Sequence, residues 1–131
     1  MAFKLINRSG YDTEDLRRFF ARGLAATQTR RRGLVIEVVA APGRSRGCAT
    51  IDGRRMVIAI AAPWRFSIRR LARLFVHEAA HIRGQEHKQM PQRRLLSLGP
   101  TPRWAEGMTI RYRGRAPNQV PLLGKDRLTR R

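Results

Sequence analysis

The sequence predicts an α+β fold, with a small twisted sheet of about three to four strands between helices. Two observations predict it. Apolar residues recur at helical spacing in two separate stretches: Leu16, Phe19, Phe20, Leu24, and then Ile68, Leu71, Phe75, Ala79, Ile82. Between them lie short β-branched runs bounded by Gly and Pro. At 131 residues, 42% of them hydrophobic, the chain is sized for one domain with a modest core rather than for wholesale disorder.

Taken in order, residues 2–8 (AFKLINR) read as a short first strand or an extended lead-in. Asp12 or Thr13 can cap the first helix, with Glu14 and Asp15 in its first turn, where the helix dipole favours acids. The run Arg30-Arg31-Arg32-Gly33 breaks that helix. Gly33 to Ala41 is a strand, closed by Pro42-Gly43. Gly47 to Ile51 and Met56 to Ala62 form two more, joined across Asp52-Gly53, a pair suited to a tight hairpin turn. Ser67 caps the long helix and Gly84 stops it. Thr101-Pro102 then opens a short C-terminal helix running through Trp104 to about Arg111. Residues 1–115 make up the domain. Residues 116–131, with two prolines and no periodicity, read as a basic, loosely attached tail.

Several function classes fall away. The longest apolar runs, such as Met56 to Pro63, are far too short to span a bilayer. The start lacks the apolar core of a secretory signal, and Asp12, Glu14 and Asp15 argue against a transit peptide, so the expected compartment is the cytoplasm. A single cysteine, Cys48, excludes an internal disulfide framework and cysteine-pair zinc modules; it reads as a small buried hydrophobe.

Charge is the unusual quantity. Lys and Arg number 28 against 9 Asp and Glu, a net +19, and 25 of the basic residues are Arg. Residues 88–131 hold eleven basic residues against two acidic ones. Such a field attracts polyanions, although a GC-rich genome would also enrich Arg codons. Each run taken alone, Arg30–Arg32 or the alternation Arg111, Arg113, Arg115, is a solvated face or a phosphate contact. Nine aromatics are too few for an interleaved single-strand-binding stripe, so Trp64 and Trp104 read as core or hinge anchors.

The chemistry sits in His77-Glu78-Ala79-Ala80-His81, followed by Ile82-Arg83-Gly84-Gln85-Glu86-His87: the pattern H-E-x-x-H-x-x-G-x-x-H. On a helix, His77 and His81 lie one turn apart on one face and can converge on a metal ion. Glu78 is close enough to reach a bound water instead. Gly84 can take a left-handed conformation and turn the chain back, so that His87 approaches the same ion. Three neutral ligands leave a fourth position open, the arrangement of a catalytic Zn2+ rather than a structural one. All three histidines of the chain fall in this motif.

Residues 77–87 match the metzincin signature, and HEAAH matches the wider zincin class of zinc metallopeptidases. The order of elements resembles the minimal zincin core, and small SprT-like proteases share the first half of the motif and a basic character. Met90 follows His87 too closely for a metzincin methionine turn; Met108 is better spaced as a floor under the metal. Pro102-Arg103-Trp104-Ala105-Glu106-Gly107 also resembles the segment by which gluzincins supply a glutamate ligand, so Glu106 competes with His87; spacing and Gly84 favour His87.

The mechanism implied is metal-assisted peptide hydrolysis. Zinc lowers the pKa of its water to about 7, and Glu78 takes the proton and returns it to the leaving amine. Tyr112, Tyr11 or an arginine would stabilise the oxyanion, and the strand Met56 to Ala62 would lie beside the cleft. The competing class is a basic nucleic-acid-binding module whose zinc is structural or whose catalysis is lost; Glu78, needless in a structural site, favours the hydrolase. Hydrolysis of a non-peptide amide is a third reading.

Overall fold

A computed structural model describes residues 2–49, 53–86 and 100–115, apart from the side chains of Cys48 and Ala49. Two helices and four strands follow one another as β1 (Lys4–Arg8), α1 (Thr13–Ala26), β2 (Val35–Ala40), β3 (Arg46–Ala49), β4 (Arg55–Ile60) and α2 (Ile68–Ile82). The fold is α+β, with a mixed sheet in the order β1-β2-β4-β3. β1 pairs parallel with β2, and β2 parallel with β4, while β3 runs antiparallel to β4 at the edge. The lead-in at residues 4–8 is thus a true strand. Parallel neighbours need a crossover, and α1 supplies the one between β1 and β2.

Period-2 alternation decides what the sheet buries. Register places Leu5 beside Ile36, Ile36 beside Met56, and Val38 beside Ile58, so these side chains share one face. Ile36, Val38, Met56, Ile58 and Ile60 are fully buried there, in one cluster with Leu16, Phe19 and Phe20 of α1 and Phe75 and Ile82 of α2. Each such side chain contributes roughly 1.5–3 kcal/mol of burial. On the other face Glu37 accepts from Arg55 and pairs more loosely with Arg8 at 3.8 Å.

Both helices begin as their caps require. The Asp12 carboxylate accepts from Asp15 N at 3.0 Å, and Ser67 Oγ accepts from Arg70 N at 3.1 Å. α1 ends earlier than its arginine run implies. Thr27 donates its hydroxyl back to Gly23 O, and Gln28 takes a left-handed φ of 53°, so the chain has left the helix before Arg30.

The expected C-terminal helix is not one. Residues Arg103–Ala105 form a single 3₁₀ turn, and Gly107, at φ 79°, breaks its continuation. The chain then runs extended beside residues 10–12: Asp12 N donates to Arg111 O, Arg113 N donates to Gly10 O, and Tyr11 bridges Tyr112. Backbone groups that a helix would have paired internally are taken by this longer-range pairing. Arg111 closes the lap by donating Nε to Asp15 at 2.9 Å, and its guanidinium also reaches Asp12 at 3.3 Å. Trp104 is the anchor its segment suggested, with its ring 5.0 Å from Phe19 and 5.6 Å from Phe75. Trp64, by contrast, is 39% exposed and leans on Tyr112. Among the described residues no helix is long and apolar enough to cross a membrane.

Candidate metal centre

The last two turns of α2 carry the site. His77 and Glu78 are buried and His81 half-buried, on turns whose Ala79 and Ile82 pack into the core. The Nε2 atoms of His77 and His81 lie 3.3 Å apart. Two histidines bound to one tetrahedral zinc at 2.0–2.1 Å have their nitrogens about 3.3–3.4 Å apart, so the pair already has the spacing that a shared ion demands.

The helix terminus orients the second histidine. Gly84 adopts φ 93°, Gly84 N donates to His81 O, and Gln85 N reaches back to Ala80 O. This double closure is a Schellman turn, possible at low cost because Gly84 has no Cβ. The turn brings the Gln85 carbonyl to 2.9 Å from His81 Nδ1. With Nδ1–H donating there, Nε2 carries the lone pair and faces His77, the tautomer a metal ligand needs. Arg31 supports the same terminus by donating Nη2 to Ile82 O at 2.9 Å.

Glu78 lies against β3. A Cβ placed on Gly47 would come within 2.7 Å of Glu78 Cγ and 2.8 Å of Oε2, so the carboxylate occupies the space that any other residue would fill. Gly47 is opposite Ile58 in register, on the helix-facing side of the edge strand. The sequence carried a signal for this, since a glycine inside a strand pattern often marks close approach of another group. His77, Glu78 and Gly47 line one cavity of about 1130 Å³. The segment expected beside the cleft, Met56 to Ala62, reaches the cavity at Ala61 and Ala62, while β4 itself is hydrogen-bonded on both sides, to β2 and β3. The edge strand β3 also borders the site, through Arg46 and Gly47.

The other candidates separate as follows. His87 and Met90 lie outside the described residues, as do the 116–131 tail and the Asp52 turn. Glu106 caps the 3₁₀ turn and is exposed; among the described residues no three His, Cys, Asp or Glu side chains gather to hold a metal. Met108 packs half-buried on the core. Neither tyrosine lines the cavity. Tyr11 is buried at 6% exposure against Tyr112, and that burial together with Tyr112 pushes its phenol well above the ordinary value of 10. The cavity's polar donors are instead arginines. Members of the suspected phosphate runs are also engaged in the fold, Arg31 on α2, and Arg111 and Arg113 on Asp12.

Compared with known proteins, the chain matches no family model, no curated protein and no solved structure.

Proposed function

We propose that the protein is a zinc-dependent metallopeptidase of zincin type, with His77, His81 and His87 as ligands and Glu78 as general base. The observation that carries this reading is the 3.3 Å approach of two ring nitrogens, one of them held in the ligand tautomer, directly beside a buried carboxylate. Held by these residues, a zinc ion would supply Lewis acidity, lowering the pKa of a water and polarising a carbonyl. His87, three residues past Gly84 in the sequence, would supply the third donor.

The chain's own groups do the rest. The Gln85 carbonyl fixes the His81 ring, and the glycine at 47 leaves room for the Glu78 carboxylate. Glu78 accepts a proton from the attacking water and delivers it to the leaving amine. An arginine of the cavity wall is the donor available to a developing oxyanion, since both phenols lie elsewhere.

The test is Glu78→Gln in zinc-loaded protein, assayed on an unfolded protein substrate. Cleavage should fall on the order of 10²–10⁴-fold while zinc content stays at the wild-type level. Unchanged cleavage overturns the assignment. Wild-type protein that holds zinc firmly and cleaves nothing points to the basic binding module with a structural site.

A further inference from the structure

We infer that the cavity over Glu78 selects peptides carrying acidic side chains on the flanks of the cleaved bond; this rests on the peptidase reading and names its substrate class. Five arginines line the cavity: Arg44, Arg46, Arg65, Arg70 and Arg73. Among the described residues Glu78, at the reacting centre, is the one acidic residue lining it. Ion pairs elsewhere join Asp12, Glu14, Asp15 and Glu37 to Arg8, Arg17, Arg18, Arg55, Arg111 and Arg113, and none of these ten residues lines the cavity.

The placement runs against helix stability, which makes it informative. α1 carries Glu14 and Asp15 in its first turn, as the dipole favours. α2 carries no acid in its first turn and begins Ile68-Arg69-Arg70. Positive side chains thus stand at the positive end of the helix, adding to the field over the cavity instead of offsetting it.

Spacing turns this field into a pattern. At 1.5 Å per residue along α2, Arg73 lies about 6 Å and Arg70 about 10 Å from His77. An extended peptide advances about 3.3 Å per residue, so its second and third residues from the cleaved bond face these two arginines. Arg44 and Arg46 also line the cavity, at the entry to β3. Guanidinium forks match carboxylates bidentately, and Arg70 is steadied by lying over the Phe66 ring at 4.9 Å.

A peptide fits this pattern better than a nucleic acid. The lining is rich in arginine but also holds the Glu78 carboxylate at the reacting centre. A peptide can place a neutral residue over Glu78 and its charges on either side. A nucleic-acid strand carries a phosphate at every nucleotide, including the one over Glu78.

The experiment uses the zinc-loaded full chain and fluorescent peptides with one neutral central sequence flanked by Glu, Ala or Lys. Anisotropy should give on the order of tenfold tighter binding for Glu flanks than for Ala flanks, with the gap narrowing as salt rises. Arg70→Gln with Arg73→Gln should remove the preference, as should Arg44→Gln with Arg46→Gln, each with the thermal midpoint checked. Equal binding of all three peptides overturns the inference. So does displacement of the Glu peptide by a single-stranded oligonucleotide that binds more tightly. Cleavage of the same peptides is read separately: an acidic preference in binding with no cleavage supports the ligand class and overturns only the peptidase reading. Cleavage with no preference does the reverse.

Discussion

Replacing Gly47 by alanine inserts a methyl carbon 2.7 Å from Glu78 Cγ, 2.8 Å from Oε2 and 2.9 Å from Cδ. Ordinary contact begins near 3.4 Å, so one partner has to retreat by about 0.7 Å. Gly47 has no left-handed φ and sits in a strand, so the backbone accepts alanine without strain. All three nearest atoms belong to the Glu78 side chain, and the shift therefore falls on the carboxylate. A misplacement near 1 Å in a catalytic group costs on the order of 10²-fold, which sets the expected loss in kcat. Zinc content and thermal midpoint should stay near wild type, because neither the histidines nor the core is touched. The assay is cleavage of an unfolded substrate beside metal analysis and a melting curve. Glu78→Asp supplies the internal control. It withdraws the carboxylate by one methylene, so adding Gly47→Ala to Glu78→Asp should cost little more than Glu78→Asp alone. Wild-type cleavage by zinc-loaded Gly47→Ala would refute the argument, since the base would then not depend on its seat against β3.

Three further outcomes follow from the same geometry. Zinc at a hundred times its Kd should stabilise the chain by about 2.7 kcal/mol, a rise of roughly 10 °C in Tm, and His81→Ala should abolish the rise; an unchanged melting curve with zinc counts against the site. Gly23→Ala should destabilise by about 1–3 kcal/mol in urea titration despite alanine's better helix propensity. The reason is that its Cβ meets the Phe75 ring at 2.7 Å and Trp104 at 2.9 Å; a more stable variant would show that this packing yields easily. The Arg111 guanidinium and backbone N–H hold the Asp15 carboxyl well below the usual aspartate value, and the Asp15 N–H and Arg113 lower Asp12 likewise. A depressed native pKa gives stability that is present above the unfolded value near 4 and lost as pH falls through the native one. Urea stability measured downward from pH 5 should therefore fall steeply, and Asp15→Asn should flatten that limb.

How far the site was legible depends on the range of the interactions that make it. His77, Glu78 and His81 lie within five residues, and helical geometry alone places them together. Gly84 announced the turn that ends α2, because a left-handed cap favours glycine. That the same turn delivers the Gln85 carbonyl to His81 was not legible, as it depends on which backbone groups the Schellman closure uses. Asp15 looked like a dipole-favoured acid and is also the partner of Arg111, 96 residues away. That contact turned the expected helix near Arg111 into an extended lap. The phenols proposed for the oxyanion were misplaced for the same reason: they were judged by chain position, whereas Tyr112 pairs back onto Tyr11.

By itself the sequence determined the two helices and their caps, the strand segments, and the two histidines and glutamate on one helical face. These follow from local rules, since periodicity, capping and propensity act over one or two turns. Only the tertiary structure decided that β3 is the edge strand beside α2, that Gly47 makes room for Glu78, and that five arginines line the cavity. Strand order and charge placement depend on contacts between separate elements, such as Lys4 with Val35 and Gly47 with Glu78. They are settled by which face each strand buries and which backbone groups remain to be paired, and neither is visible until the chain has closed on itself.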